Sequence, residues 1–340
     1  MNKTKIIPKN LKIFLIASVF IILLALLRFT WMDFINVQEG IVAKQGIIDL
    51  SGIETSKDFQ RRLQGEWEFY PNTLLVSENQ KQNKQNGHHI YSVLPESWDK
   101  YFNNEKDIHY GSYRLTILKD HKKTQLYGIT IPEGLSPYEL YVDGQFIGGL
   151  GDITKDNEKT APIGRPITHY FKLDSSKSEI IIQGIQTNHN TQGGFTKDII
   201  FGDLHSMERS KFFSIGTQIA VCLVFLFYLL FTVLLYAIGI RSKLLIYFTM
   251  IIISTCITIL VSSNRILYIY IPINWIWANK IYYFFYINSM LFFFLFLRDL
   301  VKEYSKPQIL NVMQILMAAY LLFIIIAPID YFISTKIIFT

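Results

Sequence analysis

Side chains able to grip a polar ligand gather in two stretches of this chain, around residues 98–110 and 188–194. Aromatic rings can cover the apolar face of a sugar, and amides bond hydroxyls without the desolvation cost of a full charge. Trp98, Tyr101 and Tyr110 in the first stretch, with Asn188, Asn190 and Gln192 in the second, are therefore the candidate ligand contacts. His169 and Tyr170 offer similar chemistry in a less specific setting, with His169, Tyr101, Tyr110 and the asparagines read as loop residues. Each candidate has a competing structural role. Trp67 and Trp98 occupy strand-start positions that favour core packing, and for the others a solvated loop role is favoured over ligand contact.

Other chemistries find no support. No two carboxylates are patterned so that one would be set as acid and the other as base. The chain has no Gly-x-Ser-x-Gly, phosphate loop or zinc motif. Its two cysteines, Cys222 and Cys256, both lie in apolar runs, and no Cys/His cluster accompanies them. No cofactor, metal or disulfide is expected, and the sequence reads as a binding protein rather than an enzyme.

The 33 basic and 27 acidic residues suggest a basic protein until they are divided by position. Residues 1–28 hold five basic groups and no acidic one, and residues 212–340 hold eight basic and three acidic groups. Residues 29–211 keep 20 basic and 24 acidic groups, so this middle region is acidic. The positive excess flanks apolar stretches, as in membrane proteins. Nucleic-acid binding would need Lys and Arg clustered on a folded surface and is excluded.

Those apolar stretches set the architecture. Residues 13–27 are uncharged and lie between Lys12 and Arg28, and Leu26, Leu27 and Arg28 at their end offer no small residues for a cleavage site, so residues 12–31 read as an uncleaved signal anchor. Four lysines before it put the N-terminal residues 1–11 in the cytoplasm and residues 32–208 outside. Further spans are expected at about 212–239, 244–262, 278–297 and 308–329 within a helical region 209–340. Five Lys or Arg then fall in the two cytoplasmic loops and two, Arg265 and Lys280, in the outer loop, which agrees with that orientation. Within the spans Gln218, Asn288 and Gln314 are polar and read as helix bridges. The segment IIFT at 337–340 looks like the opening turn of another span, so the sequence reads as a fragment or truncated product.

Between residues 46 and 204 the apolar period changes to two. Tyr113/Leu115/Ile117, Tyr127/Ile129/Ile131 and Tyr138/Leu140/Val142 alternate with small or polar residues, and 180–185 adds another such run. Asp143-Gly144 between two of these runs is a two-residue hairpin turn. Residues 78–88 carry no apolar side chain and read as a disordered surface loop. Short strands and turns of this kind predict a β-sandwich.

The segment Leu63-Gln-Gly-Glu-Trp-Glu-Phe-Tyr70 resembles the first core strand of the jelly-roll sugar-binding domain of family 2 glycoside hydrolases. Leu94-Pro-Glu-Ser-Trp98, Gly111-Ser-Tyr-Arg114, Leu140-Tyr-Val-Asp-Gly144 and Asn188 with Gly193-Gly194 and 199–202 follow in that fold's order. This series ahead of a multi-span bundle is similar to bacterial seven-transmembrane receptors with diverse intracellular signalling modules. Two departures stand out: Asp143 where Asn is usual, and four bundle spans instead of seven.

The resemblance implies a galactose-binding-like jelly roll outside the membrane and a sensor whose outer domain binds a small ligand of saccharide type. The signal would pass through the bundle to a cytoplasmic output that this chain lacks. The alternatives are a membrane-tethered binding or adhesion module without signalling, or an inactive truncated receptor. The implied partners are the plasma-membrane bilayer and a small saccharide-like molecule, with homodimerisation left open.

Overall fold

The computed structural model describes residues 38–53, 58–76, 88–102, 109–120, 125–132, 137–151, 153, 166–186, 193–262, 265–271, 273, 275–302, 308–328, 331, 332 and 335, with scattered positions between 18 and 28. The chain divides into two units, residues 1–39 and 40–340. In the first, the described residues between 18 and 28 are helical. The second opens with strands β1 (Gln38–Ala43, which begins at the boundary), β2 (Ile47–Asp49), β3 (Gln60–Pro71), β4 (Ile90–Leu94), β5 (Glu96–Ser97) and β6 (His109–Leu118). It continues through β7 (Gln125–Ile131), β8 (Tyr138–Val142), β9 (Gln145–Leu150), β10 (Ile167–Leu173), β11 (Lys177–Gln186), β12 (Gly194–Phe195) and β13 (Ile199–Asp203).

Eleven of these strands make one sheet in the order β10-β7-β13-β3-β6-β11-β8-β9, with β1 and β4 added to β3 and β2 added to β6. β5 and β12 form a separate pair. The two ends of the long sheet meet. On β8 the Tyr138 hydroxyl hydrogen-bonds His169 Nε2 on β10 at 2.9 Å. The sheet thus curls into a nearly closed sandwich, as the alternating runs predict.

Period-two patterning makes this possible, because each strand turns one set of side chains inward. Tyr113, Leu115 and Ile117 of β6, Ile129 and Ile131 of β7, and Leu140 of β8 are buried and join one core with Leu63, Trp67 and Phe69 of β3. β3 serves both layers, pairing with β13 through Gln60–Leu63 and with β6 through Glu68–Pro71. Between the two stretches, Gly65 has φ +94°, and a Cβ there would lie 2.5 Å from the Ala43 carbonyl of β1. Only glycine permits both the dihedral and the close approach. The Asp143-Gly144 turn forms as expected, with φ +48° and +77°, and Asp143 Oδ1 accepts from the Glu179 amide at 2.7 Å.

On the outer side of the sheet, the segment after β3 folds back over β6 and β11. Gln183, almost wholly buried, accepts from the Val76 amide at 3.1 Å and donates to the Val76 carbonyl at 2.8 Å. Ser112 Oγ accepts from the Leu75 amide at 3.1 Å. The loop expected at 78–88 lies outside the described residues apart from the exposed His88.

Four long helices follow, α1 (Leu204–Ala237), α2 (Lys243–Val261), α3 (Trp275–Val301) and α4 (Gln308–Ile326). All four contain stretches long and apolar enough to cross a membrane, the number of bundle spans expected. α1 starts eight residues ahead of the apolar stretch, because Asp203 caps it and two polar turns precede Phe212. Asn288 and Gln314 bridge helices as expected. Asn288 Nδ2 donates to Ser254 Oγ at 2.7 Å, and Gln314 Nε2 donates to the Phe294 carbonyl at 3.0 Å. Lys280, counted with the outer loop from sequence, lies instead within α3 and is buried. Its ammonium donates to the Ala327 carbonyl just past α4 at 2.8 Å and lies 5.5 Å from the Trp277 ring. Cys222 on α1 and Cys256 on α2 are neighbours.

Candidate functional site

The described residues flanking the two candidate stretches lie at the same edge of the sandwich. In the β11–β6 ladder Gln186 pairs with His109, so the chain reaches the end of β11 beside the start of β6. It returns at Gly193, whose carbonyl accepts from the Trp98 amide at 2.9 Å. β12 then pairs with β5, placing Gly194 opposite Ser97. A Cβ on Gly194, at φ +83°, would approach the Glu96 carbonyl to 2.7 Å, so the return strand needs glycine to lie this close. Asn188, Asn190 and Gln192 themselves lie outside the described residues.

Trp98 anchors this edge from beneath. It is fully buried, and its indole N–H donates to Tyr113 Oη at 2.7 Å. Its ring meets Phe69 at 5.5 Å and Phe102 at 5.7 Å. The structure thus gives it the core role that its motif favours and leaves no ring face for a ligand. Trp67 is also fully buried, 6.4 Å edge-on from Tyr113.

Tyr101 is half-buried on the rim, tilted over Phe69 at 5.3 Å. Its hydroxyl donates to Glu96, a residue that the sequence reading passed over. Glu96 also accepts from Lys100 Nζ at 2.6 Å and from Ser92 Oγ at 3.4 Å. Burial pushes the Glu96 carboxyl upward, but the hydrogen bonds from Lys100 and Tyr101 outweigh it and hold the group below its ordinary value. Burial and then the bond to Glu96 push the Tyr101 phenol upward. The rim therefore presents a fixed carboxylate acceptor beside an aromatic ring. The signal in the sequence was the spacing of Glu96, Lys100 and Tyr101, which puts an ammonium and a phenol one turn past a carboxylate.

Tyr110 is in β6 rather than in a loop, half-buried. Strand alternation turns it to the face of Ser112 and Arg114. Its neighbour His109 faces the rim instead, stacked on Phe102 with centroids 4.2 Å apart. His169 and Tyr170 are likewise strand residues, on β10 at the opposite side of the closure. His169 bonds Tyr138, and burial lowers its pKa. The Tyr170 hydroxyl donates to Glu208 at the start of α1. Among the described residues no group of three His, Cys, Asp or Glu is placed to hold a metal ion.

With this geometry established, the comparisons with known proteins bear mainly on the helices. Residues 214–340 match the 7TM diverse intracellular signalling family. The match begins inside α1 and takes in the other three apolar helices, and with them it makes the chain a multi-pass membrane protein. No curated protein matches the chain.

Solved structures similar to the sandwich include a family 2 glycoside hydrolase, the β-galacturonidase of Eisenbergiella tayi bound to galacturonate. It is 12% identical, with a TM-score of 0.31 over 46% of this chain and 26% of that one. A family 2 member from Bacteroides cellulosilyticus is 12% identical, with a TM-score of 0.31 over 42% and 20%. A putative β-galactosidase from Bacteroides fragilis is 17% identical, with a TM-score of 0.29 over 42% and 22%. The chain spans about a quarter or less of the length of these proteins.

Proposed function

We propose that this protein is a membrane sensor whose outer sandwich binds a small neutral polar ligand of the saccharide class. The contacts lie at the rim formed by Glu96, Tyr101 and His109, and Asn188, Asn190 and Gln192 are proposed as further ligand contacts. Residues 32–208 face outward, the N-terminus lies in the cytoplasm behind a signal anchor at 12–31, and the helices carry the signal inward.

The observation that carries this reading is that Trp98 and His109 meet Gly193 and Gln186, about eighty to ninety-five residues away in sequence, at one edge through the Gln186–His109 pairing and the Trp98–Gly193 bond. There an aromatic ring borders a carboxylate that can accept hydroxyl donors. A ligand hydroxyl can replace Lys100, whose ammonium is well exposed. An exposed ion pair of that kind is worth only about 0–1 kcal/mol, so displacing it costs little. The family match of the helices supports signalling over simple tethering. The role is binding, not catalysis.

Saturation-transfer NMR on the full chain in lipid nanodiscs, against a panel of neutral saccharides, tests the site. Affinity of about 1 mM, or about −4 kcal/mol, suits one aromatic platform with a few hydrogen bonds. Transfer lost in Tyr101→Ala and Glu96→Ala but kept in Tyr110→Ala supports the rim. A panel without transfer at tens of millimolar favours a domain that contacts another protein, as an adhesion module would.

A further inference from the structure

We infer that the outer sandwich and α1 are one rigid body, and that α1 is the element that shifts, moving as a unit against α2. The use of such motion rests on the sensor reading above, but the rigidity itself is independent of any ligand.

The joint has no linker. β13 ends at Asp203 and α1 begins at Leu204. β13 is an interior strand, hydrogen-bonded to β3 on one side and β7 on the other. Asp203 is buried at 4% exposure, and its carboxylate works in two directions. Toward the helix it accepts from the Ser206 amide at 3.0 Å and the Ser206 hydroxyl at 2.5 Å. Toward the sheet it accepts from the Phe59 amide at 2.9 Å, while its own amide donates to the Phe59 carbonyl at 2.9 Å. One side chain thus satisfies an orphan N–H of the first helical turn and a backbone N–H just before β3.

The next turn is held from other strands. Met207 is buried, with its side chain within 3.1 Å and 3.3 Å of the positions that a Cβ would take on Gly128 of β7 and Gly202 of β13. The Tyr170 hydroxyl of β10 donates to Glu208, and Arg209 pairs with Asp58 at 2.6 Å. Contacts from Asp58 and Phe59 ahead of β3 and from β7, β10 and β13 fix both the direction and the rotation of the helix, which runs 34 residues to Ala237.

The attachment of α1 to its membrane neighbour is of a weaker kind. It meets α2 where Cys222 neighbours Cys256 and through the edge contact of Tyr228 with Phe248 at 6.5 Å. Thiols are weak donors and acceptors. α2 and α3 are joined by the amide–hydroxyl bond of Asn288 to Ser254, and α3 and α4 by Gln314 and the Lys280 ammonium. A force on the outer domain is therefore relieved at the α1–α2 contact, ahead of the capped joint or the α2–α3–α4 contacts.

The test is double electron–electron resonance on the full chain in nanodiscs without ligand, in a Cys222→Ser, Cys256→Ser background. Spin labels go on Asp174→Cys of the outer domain and Lys211→Cys of α1. A single narrow distance distribution is expected. Inserting two glycines between Asp203 and Leu204 leaves the residues of each body intact and should broaden it at least two-fold. Ser206→Ala should broaden it less. A broad distribution with the native joint, or one unaffected by the glycines, overturns the inference. Saccharide binding plays no part in this measurement, so a failed ligand panel would leave its outcome standing.

Discussion

Replacing each buried tryptophan by phenylalanine should separate two kinds of core contribution. Trp67 and Trp98 are both fully buried in the same core and pack near the same Tyr113 ring. They differ in the indole nitrogen. Trp98 donates to Tyr113 Oη at 2.7 Å, whereas Trp67 Nε1 is buried without an acceptor. Trp→Phe removes similar ring volume at either site, so the packing loss is shared between the two variants.

At Trp98 the change also takes away the donor to the buried Tyr113 hydroxyl. At Trp67 it deletes a buried polar group that has no partner, which offsets part of the packing loss. Trp98→Phe should therefore cost about 1–3 kcal/mol more than Trp67→Phe, the range for a lost buried hydrogen bond. For a domain of this size that separates the melting temperatures by several degrees, at about 2–4 °C per kcal/mol. The assay is urea denaturation of residues 38–211, followed by far-ultraviolet circular dichroism. The fragment starts at β1 because Ala43 is a core residue. Equal losses, or a larger loss at Trp67, would refute the assignment of the hydrogen bond.

Three further outcomes follow from the same structure. Burial lowers the His169 pKa below 6.5, so on acidification the unfolded chain takes up the proton first, and domain stability should fall as pH drops from about 6.5 toward the folded value; denaturation midpoints from pH 7 to 5 should show this slope, and His169→Gln should flatten it. Asn288→Ala should weaken the α2–α3 contact by about 0.6 kcal/mol, and by less than 2, as interhelical bonds in membranes do, read from the midpoint of a denaturant titration in mixed micelles. For orientation, single cysteines replacing Lys243 and Lys302 should resist an impermeant thiol reagent added outside intact cells, and labelling of either would reverse the proposed topology.

The central strands were legible because their inward residues alternate without a break, as in Tyr113, Leu115 and Ile117. β10 was not, since the first four residues of its ITHYFKL run are half-buried on both faces. That strand lies at the closure, where His169 meets β8 and Tyr170 meets α1, so tertiary contacts replace the alternation. The same closure explains why His169 read as a loop residue. α1 was recognised from Phe212 onward, but its first two turns are polar and are defined by a buried cap to Phe59, some 144 residues away. The rim was half legible. Its aromatic and amide content stood in the sequence, whereas the choice of His109 over Tyr110 depends on strand phase. The meeting of its two loops depends on the β6–β11 register, which no local pattern specifies.

The most direct test of the sensor account uses the two native cysteines as a gauge of α1 against α2. In the full chain in nanodiscs, the rate at which a membrane-permeant oxidant joins Cys222 to Cys256 would be measured against the concentration of the saccharide that binds most tightly. Because coupling between sites is reciprocal, ligand at the rim must change this rate with the midpoint of rim binding if the outer domain drives α1. The account predicts that shared midpoint and its loss in Tyr101→Ala. A crosslinking rate that stays constant while the rim saturates would contradict it.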